Sequence, residues 1–416
     1  MRGGFGFPVR EMLRLAITAL VCSTVGSASA ENWPQFRGPT GLGYTTEKKL
    51  PLTWNAKTGE HIRWKAPLPK SDNAYSSPAV WGDRVFVTYV VNQPLEHHVL
   101  CFQASDGKPL WDTPVPPGPW LLKDLRGGYG ASTPATDGKK VFVVFGSAVI
   151  AALDFEGKIA WRKELEKFAF DVALGSSPVI FEDTVILDCD QTGKNSSFIA
   201  FDRATGAIKW EEKRPQAGFA HSTPVIATVK GRAQMLVSAA NSIQGLDPAN
   251  GKILWSCSAP GDASSPAFNG SLVFADSGRG GRAVCVDATG EGDVTKTHLK
   301  WTFPQIPEGL SSPIIVGDFV LRTHNPETLR CLRLSTGESA FHERLAGVST
   351  WASPFATADG KVYFASAGKT YVVQAGEKFE VLATNDLGEE SRASAAVSGG
   401  KIFLRGNKHL YCIGQP

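Results

Sequence analysis

The sequence has little methionine and lacks long apolar stretches. Only 3 of the 416 residues are methionine, too few for a binding groove lined by flexible Met side chains. After the first thirty residues, no run approaches the roughly 18 apolar residues that a transmembrane helix needs. We therefore expect no transmembrane segment. No stretch shows a sustained 3.6-residue apolar period either, which argues against a helical fold.

Familiar catalytic and metal-binding motifs are also missing. The sequence contains no HExxH, GxSxG or Walker pattern, and its 8 histidines are scattered, so nothing indicates a catalytic triad or a zinc centre. The glycine-rich runs 126–130 and 277–282 open no helix of a βαβ unit, and we interpret them as loops rather than phosphate sites. The acidic stretch 188–195 lacks the bidentate glutamate of a calcium loop. For this stretch we predict a solvated hairpin.

The first thirty residues have the pattern of a secretory signal. Arg2, Arg10 and Arg14 give a basic start, an apolar stretch follows over 15–25, and Ala28-Ser29-Ala30 supplies small residues for cleavage. Removing residues 1–30 lowers the formal net charge from +3 to +1. A chain so close to neutral creates no strong field for nucleic acid, and we expect no nucleic-acid partner.

These patterns divide the chain into three parts. We expect a signal peptide over 1–30, a leader segment over 31–54 and one repeat domain over 55–416. The expected protein is exported to the periplasm or the extracellular space, or is associated with the outer membrane.

A short phrase of two hydroxyl residues followed by proline recurs along the chain. Its copies are Ser76-Ser77-Pro78, Ser132-Thr133-Pro134, Ser176-Ser177-Pro178, Ser222-Thr223-Pro224, Ser264-Ser265-Pro266, Ser311-Ser312-Pro313, Ala352-Ser353-Pro354 and a degenerate Ala393-Ser394-Ala395. The mean spacing of about 45 residues is typical of the four-stranded blades of a β-propeller. We predict an all-β, eight-bladed propeller of antiparallel blades, with seven blades as the alternative if the degenerate copy is incomplete.

The ends of the repeat region complement each other. The last copy stops at Gly414, before the strand that runs from a glycine turn to a tryptophan in other copies. That missing piece occurs near the start, where Thr58-Gly59 leads to Trp64. The N-terminal strand is therefore predicted to complete the last blade, which removes two open sheet edges.

A second phrase accompanies the first, most clearly over 202–210, where Asp202, Thr205-Gly206 and Trp210 stand at fixed spacing. Together the two phrases resemble the tryptophan-docking repeat of the pyrroloquinoline-quinone (PQQ)-like propeller family, over roughly residues 55–413. In that family the repeat tryptophan packs between neighbouring blades. The resemblance implies this role for Trp64, Trp111, Trp161, Trp210, Trp255 and Trp301, with Phe341 as the substitute in the sixth blade.

The family resemblance leaves the function open between two subfamilies. Quinoprotein dehydrogenases hold PQQ and Ca²⁺ in the central funnel and have a pair of adjacent cysteines, which this chain lacks. Cofactor-free relatives, including the BamB-type scaffold of outer-membrane protein assembly, hold protein partners, and the stretch from Trp33 to Gly41 resembles a leader of such exported propellers. We therefore expect a monomeric, non-catalytic scaffold for protein partners in the envelope, with no cofactor and no bound metal. A PQQ- and calcium-dependent alcohol or sugar dehydrogenase and a small-ligand or glycan sensor are the alternatives.

The residue just before each Ser-Ser-Pro phrase is predicted to lie near the mouth of the funnel. Around the ring these are Tyr75, Ala131, Gly175, His221, Ala263, Leu310, Trp351 and Arg392. Aromatic and arginine side chains are frequent binding anchors, so we predict that Tyr75, His221, Trp351 and Arg392 converge on a ligand or peptide. The simpler interpretation is that they merely line the channel.

The cysteines have the pattern of structural residues. Cys101, Cys285, Cys331 and Cys412 occupy the same strand of their repeats, where a small apolar residue packs well. We predict buried free thiols. Disulfides between adjacent blades, joining Cys285 to Cys331 or Cys101 to Cys412, are the alternative.

Overall fold

The computed structural model describes residues 31–415 apart from 73–74, 123–127, 167–173, 192–193, 216 and 367, together with Met1 and Gly3. The predicted signal peptide thus lies outside the described residues, except for those two. In the part of the chain that is described, no helix is long and apolar enough to cross a membrane.

Short β-strands follow one another along the described chain. Two strands precede the first Ser-Ser-Pro phrase, β1 (Tyr44–Thr45) and β2 (Ile62–Pro67). The first blade contains β3 (Ala79–Trp81), β4 (Arg84–Asn92), β5 (Leu95–Gln103) and β6 (Pro109–Val115). The second contains β7 (Ala135–Thr136), β8 (Lys140–Phe145), β9 (Val149–Asp154) and β10 (Ile159–Glu164). The third contains β11 (Val179–Phe181), β12 (Thr184–Asp188), β13 (Ser197–Asp202) and β14 (Ile208–Lys213).

The next blades continue the series. The fourth contains β15 (Val225–Val229), β16 (Arg232–Ala239), β17 (Ser242–Leu246) and β18 (Ile253–Ser258). The fifth contains β19 (Ala267–Asn269), β20 (Leu272–Ala275), β21 (Gly281–Asp287) and, after the short β22 (Gly292–Asp293), β23 (Leu299–Ile306). The sixth contains β24 (Ile314–Val316), β25 (Phe319–His324), β26 (Thr328–Arg333) and β27 (Ser339–Arg344).

The last two blades use strands from both ends of the chain. The seventh contains β28 (Phe355–Thr357), β29 (Lys361–Phe364), β30 (Lys369–Gln374) and β31 (Val381–Asp386), and β1 adds to it in parallel beside β28. The eighth contains β32 (Ala396–Ser398), β33 (Lys401–Arg405) and β34 (His409–Gly414). Its outer strand is β2, which pairs antiparallel with β34 and places Trp64 opposite Cys412.

The predicted architecture is confirmed. Eight sheets, each built on four antiparallel strands, form a ring whose innermost strands follow the Ser-Ser-Pro phrases. The first innermost strand, β3, contacts both β7 and β32, so the ring is closed. The N-terminal strand completes the eighth blade as the sequence predicted.

Tryptophan and glycine join several neighbouring blades at the outer edge. The Trp111 indole N–H donates a hydrogen bond of 2.8 Å to the carbonyl of Phe155 in the next blade. Gly157 there has a φ of +86°, and a Cβ on it would lie 2.7 Å from the Trp111 ring, so only glycine fits the turn. The same N–H to carbonyl bond joins Trp64 to Ala104 (3.0 Å), Trp161 to Arg203 (3.2 Å) and Trp301 to Leu334 (2.8 Å).

Three repeat positions differ from this arrangement. The Trp210 ring lies against Gly251 of the next blade, but its N–H has no hydrogen-bond partner among the described residues. Trp255 is fully buried and donates to Gln234 of its own blade at 2.8 Å. In the next blade the outer turn is enlarged, and its strand β22 pairs with β18 beside Trp255. Phe341 contacts Phe379 of the next blade with ring centroids 5.5 Å apart.

The second hydroxyl residue of every repeat forms a closed ring of hydrogen bonds around the channel. In each blade its backbone N–H donates to the side-chain hydroxyl of its counterpart in the next blade, over 2.8–3.2 Å. The degenerate eighth copy takes part, because Ser353 donates to Ser394, which donates to Ser77. The members of this hydroxyl ring are Ser77, Thr133, Ser177, Thr223, Ser265, Ser312, Ser353 and Ser394.

The leader segment closes one end of the channel. Trp33 exchanges two backbone hydrogen bonds with Val80 of the first blade and is buried against Phe355 of the seventh. The buried Arg37 guanidinium donates to the carbonyls of Pro266 (3.3 Å) and Pro313 (2.6 Å), in the phrases of blades five and six. Residues 33–45 therefore bind the inner strands from several sides and plug the ring. The sequence pattern had indicated no role for this stretch.

All six cysteines in the described residues are free and buried. The alternative of disulfides between Cys285 and Cys331 or Cys101 and Cys412 is therefore wrong. Burial raises the pKa of these four thiols to about 12, so they remain protonated at neutral pH and are poor nucleophiles.

A substitution in the hydroxyl ring tests whether it stabilises the propeller. Ser177→Ala leaves the backbone N–H of Thr133 buried without an acceptor, and such a loss costs about 1–3 kcal/mol in free energy of unfolding. Ser177→Thr keeps a hydroxyl, as at Thr133 and Thr223, and serves as the matched control. Denaturant unfolding of the three proteins should show a lower stability for the alanine variant alone. Equal losses in both variants would contradict the role of the hydroxyl.

Candidate functional site: the funnel

The channel forms a cavity of about 590 Å³. Phe36 of the leader lies at the floor, the hydroxyl ring lines the wall, and the residues that precede it line the mouth. All eight residues predicted from the sequence to lie near the mouth line this cavity, including the four candidate binding residues Tyr75, His221, Trp351 and Arg392. Their use as a binding site stays a prediction.

Three of the four meet on one side of the mouth. The Arg392 guanidinium lies over the ring of Trp351 at 4.1 Å and over the ring of Tyr75 at 4.9 Å. Cation–π contacts of this kind hold a guanidinium in one orientation. Arg392 is exposed and forms no ion pair within the described chain, and Trp351 is 41 % exposed. We call these three residues the aromatic–arginine cluster.

His221 lies apart from this cluster, four blades away and thus on the opposite wall. Its backbone N–H donates to the carbonyl of Asp262 at 2.8 Å, and its ring contacts Phe219 edge-on, with centroids 4.3 Å apart. The Nδ1 atom is buried and has no hydrogen-bond partner in the described structure. A Cβ on Gly175 would come within 2.5 Å of that atom, so a glycine is needed there. Burial, with a smaller contribution from Arg279, lowers the pKa of His221 to about 3, and the ring is neutral at physiological pH.

A second group of charged residues was missed in the sequence. Arg279 Nε lies 3.1 Å from Asp262 Oδ2, and Arg279 Nη1 lies 3.9 Å from Glu308 Oε1. Burial raises the pKa of Asp262 above its usual value, and its Oδ1 has no partner among the described atoms. We call these three residues the acidic wall. Arg279 belongs to the glycine-rich run 277–282, where the sequence indicated only a loop.

The hydroxyl ring was also missed as part of the site. All eight of its members line the cavity, and each hydroxyl accepts a backbone N–H. A signal was present in the sequence, because the second position of the phrase is Ser or Thr in every copy, including the degenerate one that has lost its proline.

The residues of the cavity do not fit calcium. Ca²⁺ takes six to eight oxygen ligands, several of them carboxylates. Among the described residues the cavity offers the carboxylates of Asp262 and Glu308, and both face the guanidinium of Arg279. Within the described ranges, no three His, Cys, Asp or Glu side chains are grouped so that they hold a metal.

The chain matches the model of a known protein family. The family model PQQ_2, described as outer membrane protein assembly factor BamB, matches residues 95–343. The chain belongs to this BamB-like propeller family.

Individual relatives show how far the likeness extends. Tetrathionate hydrolase from Acidithiobacillus ferrooxidans is 24% identical over 414 residues, which cover 79% of this chain and 80% of that protein. Outer membrane protein assembly factor BamB from Yersinia pestis is 27% identical over 172 residues, 36% of this chain and 40% of that one. The crystal structure of BamB from Moraxella catarrhalis superposes with a TM-score of 0.61 at 14% identity, over 84% of this chain and 96% of that one. These relatives share the BamB-like fold with this chain.

The acidic stretch 188–195 differs from its prediction. Asp188 and Asp190 are fully buried, so the expected solvated hairpin is wrong for these residues; residues 192–193 lie outside the described ones. The buried Arg214 lies 3.0 Å from Asp190 Oδ2 and donates to Gln244 of the fourth blade at 2.9 Å. The partner of the acidic pair thus comes from the end of β14, more than twenty residues later in the chain.

The buried carboxyls of Asp188 and Asp190 predict that the stability of the folded protein depends on pH. Burial, then repulsion from Asp190, raises the pKa of Asp188 well above its usual value, and burial raises that of Asp190 to about 6. A carboxyl whose pKa is higher in the folded than in the unfolded state lowers the stability of the folded protein as the pH rises from about 4 through the folded-state pKa. Asp188→Asn removes this cost, and its midpoint of thermal unfolding should exceed that of the wild type by roughly 2–4 °C at pH 7 and by less at pH 4. The surface variant Asp83→Asn is the control, and an equal shift at both pH values would contradict the assignment.

Proposed function

We propose that the protein is a non-catalytic, exported propeller that binds protein partners in the cell envelope through the mouth of its funnel. The observation that carries the proposal is the aromatic–arginine cluster. It presents an exposed tryptophan and a guanidinium with no carboxylate partner in the described chain, fixed by cation–π contacts. Trp, Tyr and Arg are the residue types that dominate binding energy at protein interfaces.

The rest of the ring supports a binding role. The cluster draws one residue from each of three consecutive blades, seven, eight and one, and the hydroxyl ring holds those blades together. A preorganised surface loses little conformational entropy when a partner docks. Membership of a family described as an assembly factor agrees with a protein partner.

Site-specific photo-cross-linking tests the proposed docking surface. A photoreactive phenylalanine analogue at Leu310, in the wall of the mouth, should cross-link a discrete protein in envelope preparations of the source cells. The same analogue at Ile208, 58% exposed on the outer strand β14, should not. Adding Trp351→Ala or Arg392→Gln should weaken capture from Leu310 at least about tenfold, as expected for loss of a binding anchor. Equal cross-linking from both positions, or none from the mouth, would contradict the proposal.

A tetrathionate hydrolase activity is the second candidate. It is favoured by the relative of that name, which aligns over about four-fifths of both chains, and by the Arg392 guanidinium in the cavity, which suits an anionic substrate.

Incubating the purified protein with tetrathionate and following its loss separates the two candidates. The scaffold proposal predicts no turnover above that of buffer alone. If turnover is observed, disappears in Arg392→Gln and persists in the surface variant Arg344→Gln, the scaffold proposal is wrong and the hydrolase activity is supported.

A further inference from the structure

We propose that the funnel cavity binds a zwitterionic ligand of the short-peptide class, with its carboxylate at Arg392 and its ammonium group at the acidic wall. The inference rests on the proposed function in one respect, namely that the mouth is the binding site. It adds the charge pattern, the orientation and the size of what enters.

The first end of the ligand site is cationic. Arg392 is flanked by two aromatic rings, and it forms no ion pair within the described residues. Its planar fork of N–H donors matches the two oxygens of a carboxylate. The flanking rings of Tyr75 and Trp351 add apolar surface, against which the carbon chain of a ligand packs.

The second end is acidic. Asp262 and Glu308 share one guanidinium, that of Arg279, at 3.1 and 3.9 Å, so the group carries a net charge of −1 when both acids are ionised. Asp262 Oδ1 is buried and has no hydrogen-bond partner among the described residues. Such an atom is costly unless a donor reaches it, and an ammonium group supplies three donors. An incoming ammonium therefore completes this wall.

The two ends come from different blades of the ring. Arg392 lies in the segment that leads into the eighth blade, whereas Asp262 and Glu308 lie in the segments that lead into the fifth and sixth blades, and Arg279 lies in the loop between β20 and β21. The other described residues that line the cavity are uncharged, among them the hydroxyl ring, His221 and Phe36. A dipolar ligand satisfies both ends at once, while a simple anion or cation satisfies one.

Size and access favour a short ligand with free ends. A cavity of about 590 Å³ lies within the range of roughly 300–1,000 Å³ that accommodates small-molecule ligands. The leader closes the opposite end, where Trp33 and Arg37 bond to inner segments of blades one, five and six. A long chain therefore does not thread through, and both charged ends of the ligand have to lie at the mouth side of the plug.

Calorimetric titration with four forms of one tripeptide tests the inference. The probes are Gly-Leu-Gly with free ends, its N-acetylated form, its C-amidated form and the doubly blocked form. The free tripeptide should bind, and removing either charge should weaken binding about tenfold or more, because one wall then loses its charged partner. Binding of all four forms with equal affinity, or binding of none up to about 10 mM, would overturn the inference.

Two variants at exposed residues test which end of the peptide binds at Arg392 and which binds at the acidic wall. Arg392→Gln should bind the free and amidated forms equally and still discriminate against the acetylated form, while Glu308→Gln should show the reverse. Arg333→Gln and Glu377→Gln, a surface ion pair outside the cavity, are the matched controls, and thermal unfolding checks that every variant folds. If neither variant changes its own discrimination, the orientation is wrong. If the cross-linking test fails but the peptide still binds, the proposal of a protein scaffold is wrong and the proposal of a ligand site stands.

Discussion

The hydrogen bonds of the hydroxyl ring are the interaction on which the rest of this propeller depends. Each links one blade to the next through a backbone N–H and a side-chain hydroxyl, and the last bond, from Ser394 to Ser77, joins positions 317 residues apart. No blade satisfies its own N–H group, so every blade needs its neighbour, and the series ends only when the ring closes. Strand β2 closes the same ring at its outer edge by completing the eighth blade.

This ring explains how the cavity tolerates diverse side chains at its mouth. The bonds involve the second residue of each phrase, whereas the mouth is lined by the residue two positions earlier. Alanine, glycine, tryptophan and arginine all occur there, because the backbone of the phrase is fixed independently of that side chain. The fold thus separates the residues that hold the blades from those that face a ligand, and a family with one architecture can carry different binding surfaces.

Periodic features were predictable from the sequence, and features that depend on a single distant partner were not. The blade count and the closing strand follow from phrases repeated eight times, since each copy supports the others. The meeting of Tyr75, Trp351 and Arg392 followed from their shared position in consecutive repeats. In contrast, the leader gave no periodic signal, and its function as a plug depends on Arg37 reaching Pro266 and Pro313. Asp190 was predicted to be solvated, but it is buried. Its partner, Arg214, comes from the end of a different strand, so the local sequence did not reveal the ion pair.

The described cavity presents charged, aromatic and hydroxyl groups. Burial keeps His221 neutral, and a ring whose pKa is near 3 is a weak general base at neutral pH. The cysteines with raised pKa values are packed in the blades, away from the cavity. What remains at the mouth is a set of complementary charges contributed by different blades, an aromatic surface and a ring of hydroxyls. These groups suit a polar ligand. Because the plug closes the far end, the proposed ligand would enter and leave by the same mouth at which we propose that a protein partner docks. The two proposed binding events therefore use one surface, and each is expected to weaken the other.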